Sequence, residues 1–114
     1  MQSPTSPRAD LLPGTLELLV LKTLSIEAMH GYAIAQHIRR LSTDVLKVEE
    51  GSLYPALQRL LVKGLVSAEW GQSDKNRRAR VYRLTPAGRR QLGEEQAGLL
   101  AHFDAIRRVL RARG

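Results

Sequence analysis

The absences in this sequence exclude several classes of protein. Cysteine does not occur, so disulfide bonds and thiolate metal or redox sites are excluded, which fits a cytoplasmic protein. The longest apolar run, residues 18–21, falls far short of the roughly 20 apolar residues that a membrane span requires. The N-terminus also lacks the charged and apolar regions of a signal peptide. We therefore expect a cytoplasmic protein with no membrane-spanning segment.

Aromatic side chains are scarce, although apolar residues as a whole are not. One Trp, one Phe and three Tyr occur in 114 residues, whereas 43% of the sequence is apolar. The core must therefore consist mainly of Leu, Val, Ile and Ala, and the length favours a single domain. A chain of this size buries only about two-thirds of its unfolded surface and gains stability from oligomerisation.

No constellation of catalytic or cofactor-binding residues is visible. The sequence has no glycine-rich phosphate loop, no GxSxG nucleophile motif and no pair of acidic residues in an apolar setting. His30 and His37 are seven residues apart, whereas a helical pair of metal ligands is four apart. We predict no enzyme activity, no metal and no cofactor.

Positive charge is present in excess, and it is concentrated in one segment. The net charge of the chain is +7. Residues 71–90 contain seven basic side chains against Asp74 alone, whereas residues 1–70 contain seven of each sign. A solvated surface usually mixes charges, so this patch indicates a polyanionic partner such as nucleic acid. An acidic protein or a membrane surface is an alternative at this point.

The apolar periodicity predicts helices before the basic segment. A polar tail rich in Ser and Pro, residues 1–10, is expected to be disordered. The first helix begins with Thr15 as N-cap and is apolar on several sides, which suggests contact with its own core and with a second subunit. A second helix is predicted over residues 32–42, followed by a short strand over residues 45–48.

The predicted third helix has two distinct faces. It spans residues 53–63, with Ser52 as N-cap and Pro55 in the first turn. Its Leu residues recur at helical spacing and form the core face. The outer face presents an aromatic ring, an amide and a guanidinium within two turns: Tyr54, Pro55, Gln58 and Arg59.

Two alternating segments joined by a polar loop predict a β-hairpin. The strands span residues 65–70 and 79–84, with Tyr82 and Leu84 facing the core. Trp70 is interpreted as a hydrophobic cap at the base of the hairpin. Five basic side chains lie within the loop and the second strand: Lys75, Arg77, Arg78, Arg80 and Arg83.

The last helix carries a coiled-coil repeat. Thr85 as N-cap and Pro86 at the first helical position predict its start, and the helix is expected to run to about Ala112. Its seam residues step by four and three positions, the spacing of a helix that packs against a partner helix. Together with the first helix, this seam predicts a dimer interface formed by Leu12, Leu16, Leu19, Leu92, Leu99, Phe103, Ile106 and Leu110.

The order of these elements predicts an α+β, mostly α, fold. It comprises a winged helix-turn-helix DNA-binding domain over residues 11–84 and a long C-terminal dimerisation helix over residues 85–114. The third helix would enter the major groove, where Gln58 can pair with adenine and Arg59 with guanine. The predicted recognition-helix contacts to DNA are Ser52, Tyr54, Pro55, Gln58 and Arg59. The predicted wing contacts, which neutralise phosphates, are Lys75, Asn76, Arg77, Arg78 and Arg80.

Four blocks of the sequence resemble the PadR-like transcriptional regulators. They are LLPGTLELLVLKTLS, MHGYAIAQHI, EEGSLYPALQRLLVKGLV and RRARVYRLTPAGRRQL, in the order of that family. The resemblance covers residues 11–92 and implies a homodimeric winged-helix protein, usually a repressor, that binds a palindromic operator. The single C-terminal helix resembles the family's subgroup with a short C-terminal region. The resemblance also allows release from double-stranded DNA by a small-molecule effector, whose identity the few aromatic residues do not indicate.

Two other functions are open at the level of sequence. A winged helix can serve as a protein-interaction module, in which case the basic hairpin would meet an acidic protein partner. An electrophoretic shift assay separates that role from DNA binding. An enzyme is the least supported alternative, because no catalytic constellation is present.

Overall fold

The chain folds into helices, a β-hairpin and a long final helix. A computed structural model describes residues 14–72 and 78–114. The predicted tail over residues 1–10 and the predicted interface residue Leu12 lie outside these described residues. The elements are α1 (Thr15–Ile26), β1 (Met29–His30), α2 (Gly31–Leu41), α3 (Glu50–Val62), β2 (Val66–Gln72), β3 (Arg78–Leu84) and α4 (Pro86–Leu110).

The core lies around α1. This helix packs against α2, α3, α4 and strand β3, so its several apolar sides are already covered within one chain. The largest fully buried side chains are all aliphatic: Val20, Leu21, Ile34, Leu53, Leu57 and Leu60. The prediction of an aliphatic core is therefore confirmed. The burial of α1 on many sides, however, does not by itself require a second subunit.

A three-stranded antiparallel sheet has the order β1–β3–β2. The prediction of a short strand at residues 45–48 is wrong, because these residues form a loop between α2 and α3. The additional strand is β1, which precedes α2 and pairs with β3 through Met29 opposite Tyr82. A two-residue strand carries no alternation of its own, and it forms here because β3 offers a free edge.

Helix α3 begins earlier than predicted. Glu49 occupies the N-cap position without a side-chain cap, and its carbonyl accepts hydrogen bonds from the N–H groups of Ser52 and Leu53. Ser52 therefore lies in the first turn and is not the N-cap. Pro55 lies deeper in the helix, where it removes one hydrogen bond from the helical ladder.

Helix α4 begins as predicted and then leaves the body of the domain. The Oγ1 atom of Thr85 accepts a hydrogen bond from the N–H of Gly88 at 3.0 Å, which confirms Thr85 as the N-cap, and Pro86 is the first helical residue. Leu92 is only 7% exposed and belongs to the core of its own chain, so it has almost no surface to give to a dimer interface. Residues 101–110, in contrast, are all exposed.

The residues that the structure describes include no helix with the length and apolarity needed to cross a bilayer. Within the same two ranges, no three His, Asp or Glu side chains are grouped as ligands for a metal ion.

Candidate nucleic-acid interface

An open cleft of about 450 Å³ lies between α3 and strand β3. We call it the wing–helix cleft, and its lining includes His30, Tyr32, Tyr54, Gln58, Arg80 and Tyr82. Four elements build it, because β1 contributes His30, α2 its N-terminus, α3 its exposed face and β3 the basic strand. Three of the five aromatic side chains of the chain therefore meet in one place.

Tyr54 is held in the cleft by a close approach to Gly31. A Cβ atom at Gly31 would lie 2.9 Å from Cε1 of the Tyr54 ring, so the ring packs where only glycine leaves room. The ring is nevertheless 43% exposed. Partial burial, with a smaller effect from the charge of Glu50, raises the pKa of Tyr54. The phenol is therefore neutral and keeps an O–H donor, which suits a contact with a phosphate oxygen.

The predicted recognition residues divide between two faces of α3. Gln58 follows Tyr54 by one helical turn and lines the cleft with it. Ser52, Pro55 and Arg59 are spaced by three and four residues and share a second exposed face. The structure thus brings Tyr54 and Gln58 together and places the other three outside the cleft.

Arg59 is engaged by an acidic residue of α1. Its Nε donates to Oε2 of Glu17 at 2.8 Å, and Nζ of Lys63 donates to the other carboxylate oxygen at 3.2 Å. Glu17 precedes Arg59 by 42 residues, so no local pattern reveals the pair. This ion pair uses the Nε donor of Arg59, so the Nη donors are left for the guanine contact that the sequence predicts.

The Glu17 carboxylate also links stability to pH. Desolvation by burial would raise the pKa of Glu17, but the hydrogen bonds and charges of Arg59 and Lys63 outweigh it, and the pKa is lowered. A carboxyl whose pKa is lower in the folded state adds stability above its unfolded pKa, about 4.3, and this stability is lost as the pH falls through the folded pKa.

Replacing Glu17 by Gln is therefore expected to destabilise the protein at pH 7 by roughly 0.5–1 kcal/mol, the value of partly exposed ion pairs. Urea denaturation of both proteins at pH 7 and near pH 3 measures the difference. The deficit should shrink at the lower pH, because Glu17 takes up a proton as the pH falls through its folded pKa. A deficit of equal size at both pH values would contradict the proposed role of the charge.

The inner face of the hairpin combines arginine with tryptophan. Trp70 lies directly opposite Arg80 and diagonally across from Arg78. The Cζ atom of Arg78 is 4.5 Å from the centroid of the Trp70 ring, and Cζ of Arg80 is 6.0 Å from it. Over residues 14–72 and 78–114 the structure shows no ion pair to either arginine. The other predicted wing residues, Lys75, Asn76 and Arg77, lie outside the described residues.

Trp70 does not form the hydrophobic cap that the sequence suggests. Trp70 is 59% exposed, although it lies on the same side of the hairpin as buried Tyr82. The predicted alternation along the strand is correct, but the hairpin continues beyond the edge of the core. The opposite side of the hairpin carries Arg83, which pairs with Glu69 at 3.3 Å.

The sequence analysis did not predict two residues of the cleft, His30 and Tyr32. His30 lies in β1, where its Nδ1 is 3.3 Å from the carbonyl oxygen of Arg80. Tyr32 is an exposed aromatic in the first turn of α2. The sequence contains one indication for Tyr32, because this residue does not belong to the apolar stripe of Ile34 and Ile38 by which α2 packs on the core.

The predicted dimer residues also differ in their surroundings. Leu16, Leu19 and Leu99 are partly buried against the core of their own chain. Phe103 and Ile106 are 38% and 42% exposed, and Leu110 is also exposed. An apolar seam therefore continues along the half of α4 that has left the domain.

Comparison with known proteins identifies relatives over most of the chain. Residues 20–94 match the model of the transcriptional regulator PadR-like family. The transcriptional regulator Rv3488 of Mycobacterium tuberculosis is 38% identical over 84 residues, which cover 74% of this chain and 75% of that protein.

Solved structures show the same fold. A PadR family transcriptional regulator from Eggerthella lenta has a TM-score of 0.73 and 32% identity, covering 88% of this chain and 85% of that one. The structure of smu.1704 from Streptococcus mutans has a TM-score of 0.76 and 26% identity, covering 100% of this chain and 99% of that one. The predicted winged helix-turn-helix fold with a long C-terminal helix is thus confirmed.

Proposed function

The chain belongs to the PadR-like family of transcriptional regulators, and on this premise we propose that it binds double-stranded DNA through the wing–helix cleft and α3. The family is one of regulators and not of enzymes. In this proposal α3 reads bases in the major groove, and the hairpin acts as the wing that holds the backbone.

The observation that carries the proposal is that side chains suited to two kinds of DNA contact line one cleft. Gln58 and Tyr54 of α3 line it together with Arg80 of the wing. An amide can pair bidentately with adenine, whereas a guanidinium and a phenol bind phosphate oxygens. Base readout and backbone contact are therefore available side by side, on elements held by the core.

The protein is proposed to act as a homodimer on a palindromic operator. Two copies related by a twofold axis would present their α3 helices to half-sites about one DNA turn, roughly 34 Å, apart. The apolar seam of α4 supports this assembly, because Phe103, Ile106 and Leu110 are exposed on a segment that is exposed over residues 101–110. Repression, release by a small-molecule effector and a cytoplasmic location follow from the family's role and are proposed on that basis.

Arg80 and Arg83 provide a matched test of the wing. They lie on opposite faces of β3, and each substitution by Ala removes one positive charge. Arg80→Ala is expected to weaken binding to any duplex several-fold and to reduce the slope of log K against log salt by about 0.9, the loss of one phosphate contact. Arg83→Ala should change both quantities little. Fluorescence anisotropy with a labelled duplex at several salt concentrations measures them.

Gln58→Ala completes this experiment. Selection of bound duplexes from a random library should yield a less defined preference at one position per half-site, with the salt slope unchanged. Equal effects of Arg80→Ala and Arg83→Ala would argue against a specific wing contact. No binding of the wild type to any duplex at low salt would instead favour a protein-interaction module.

A further inference from the structure

Packing within the fold does not explain why the wing carries an exposed tryptophan. Trp70 is the single Trp of the chain, and the residue is more than half exposed. Toward the base of the hairpin, the same face is closed by Val66 and Tyr82, which are buried. Two further cross-strand pairs continue this face past the core, and Trp70 belongs to the first of them.

Two arginines lie over the ring of Trp70. Arg78 stacks on Trp70, and Arg80 lies between the rings of Trp70 and Tyr82, 6.0 Å and 5.8 Å from their centroids. A guanidinium over an aromatic face is attracted by the ring quadrupole and loses part of its rotational freedom. Its N–H groups lie in the guanidinium plane, so a ring that covers the face leaves the edges available for phosphate oxygens.

We propose that Trp70 is a positioning residue that holds Arg78 and Arg80 ready to bind two phosphates of the DNA backbone. The inference rests on the proposed function, because it assigns the mechanism by which the wing contributes affinity. Long arginine side chains lose conformational freedom when they bind, and ordering them beforehand lowers that cost. Removal of the indole is thus expected to weaken the two phosphate contacts without removing any charge.

Two substitutions separate the aromatic face from simple hydrophobic size. Trp70→Phe keeps a ring, whereas Trp70→Leu keeps an apolar side chain but no π face. Trp70→Leu is expected to weaken duplex binding about 5- to 30-fold, from two cation–π contacts, and to lower the salt slope by up to about one. Trp70→Phe should retain most of the wild-type affinity. Anisotropy titrations over a salt series provide both quantities.

A double-mutant cycle tests whether Trp70 acts through the two arginines. When Arg78 and Arg80 are both Ala, Trp70→Leu should have no further effect on affinity. A persistent loss in that background would overturn the proposal, since Trp70 would then contact DNA itself. Strong quenching of the single Trp emission on DNA binding, with an unchanged salt slope in Trp70→Leu, would lead to the same conclusion.

The relative affinities of the two Trp70 variants also test the role of the aromatic ring. Wild-type affinity of Trp70→Leu, or equal losses for Leu and Phe, would show that the ring's π face does not matter, and would overturn the proposal. Thermal unfolding of each variant shows whether the domain is folded at the assay temperature. Failure of the wild type to bind any duplex would instead reject the proposed function, an outcome that is distinct from the failure of Trp70 to position the wing.

Discussion

Replacement of Gly88 by Ala is expected to destabilise the folded protein by about 3 kcal/mol or more, the size of effect that follows from forcing atoms into a packed site. A Cβ atom at Gly88 would overlap the carbonyl oxygen of Leu65 and lie 2.7 Å from Cδ1 of Leu84. The first of these atoms belongs to the backbone, so no side-chain rotation relieves the contact. The start of α4 must then move away from the sheet.

Such a movement would also break the hydrogen bonds that fix the start of α4. The N–H of Thr85 donates to the Leu65 carbonyl at 3.1 Å, and its hydroxyl donates to the carbonyl of Gly64 at 2.7 Å. The same hydroxyl accepts from the N–H of Gly88. In a chain of 114 residues, a loss of this size is expected to lower the melting temperature by roughly 12 °C or more.

Gly93 is the matched control for this substitution, because it lies in the same helix. A Cβ atom there would meet no atom within 4 Å apart from its chain neighbours and the backbone of its own helix. Gly93→Ala is therefore expected to stabilise the protein by about 0.5–1 kcal/mol, the gain from replacing glycine in a helix interior. Thermal and urea denaturation of both variants provide the comparison. Two changes of the same sign and size would contradict the close docking of α4 on Leu65.

The features that were predictable from sequence depend on neighbours along the chain. The N-cap at Thr85 and the alternation of the hairpin follow from a few adjacent residues, and both are confirmed. The early start of α3 is missed because Glu50 and Gly51 carry no apolar periodicity, while the residues after them do.

The features that were not predictable depend on contacts between distant residues. Strand β1 exists because β3 has a free edge, and Arg59 is paired because Glu17 faces it from α1. Exposure of Trp70 depends on where the core ends, which periodicity within the strand does not reveal. The sequence therefore predicts the helix and the hairpin that line the cleft, but which side chains share the cleft emerges only from the folded chain.

The exposed half of α4 is the basis of a prediction about dimer formation. Leu92 and Leu99 belong to this seam, but they pack against the core of their own chain. Beyond them, Phe103, Ile106 and Leu110 continue the same coiled-coil spacing on a segment that is exposed throughout. Because isolated apolar seams of this kind mark interaction sites, the partner proposed for this seam is a second copy of the chain.

The double substitution of Phe103 and Ile106 by Glu is expected to produce a monomer. Two charges would be placed in the apolar seam, and loss of a buried aromatic alone typically costs about 3–5 kcal/mol, so the dimer dissociation constant should rise at least a thousandfold. Ala101→Glu, about half a turn away on the same exposed segment, is the control and should leave the dimer intact. Sedimentation velocity at micromolar concentration measures the assembly, and anisotropy with a selected palindromic duplex measures the accompanying loss of affinity. Persistence of the dimer in the double variant would place the interface elsewhere, on α1 or on the body of the domain.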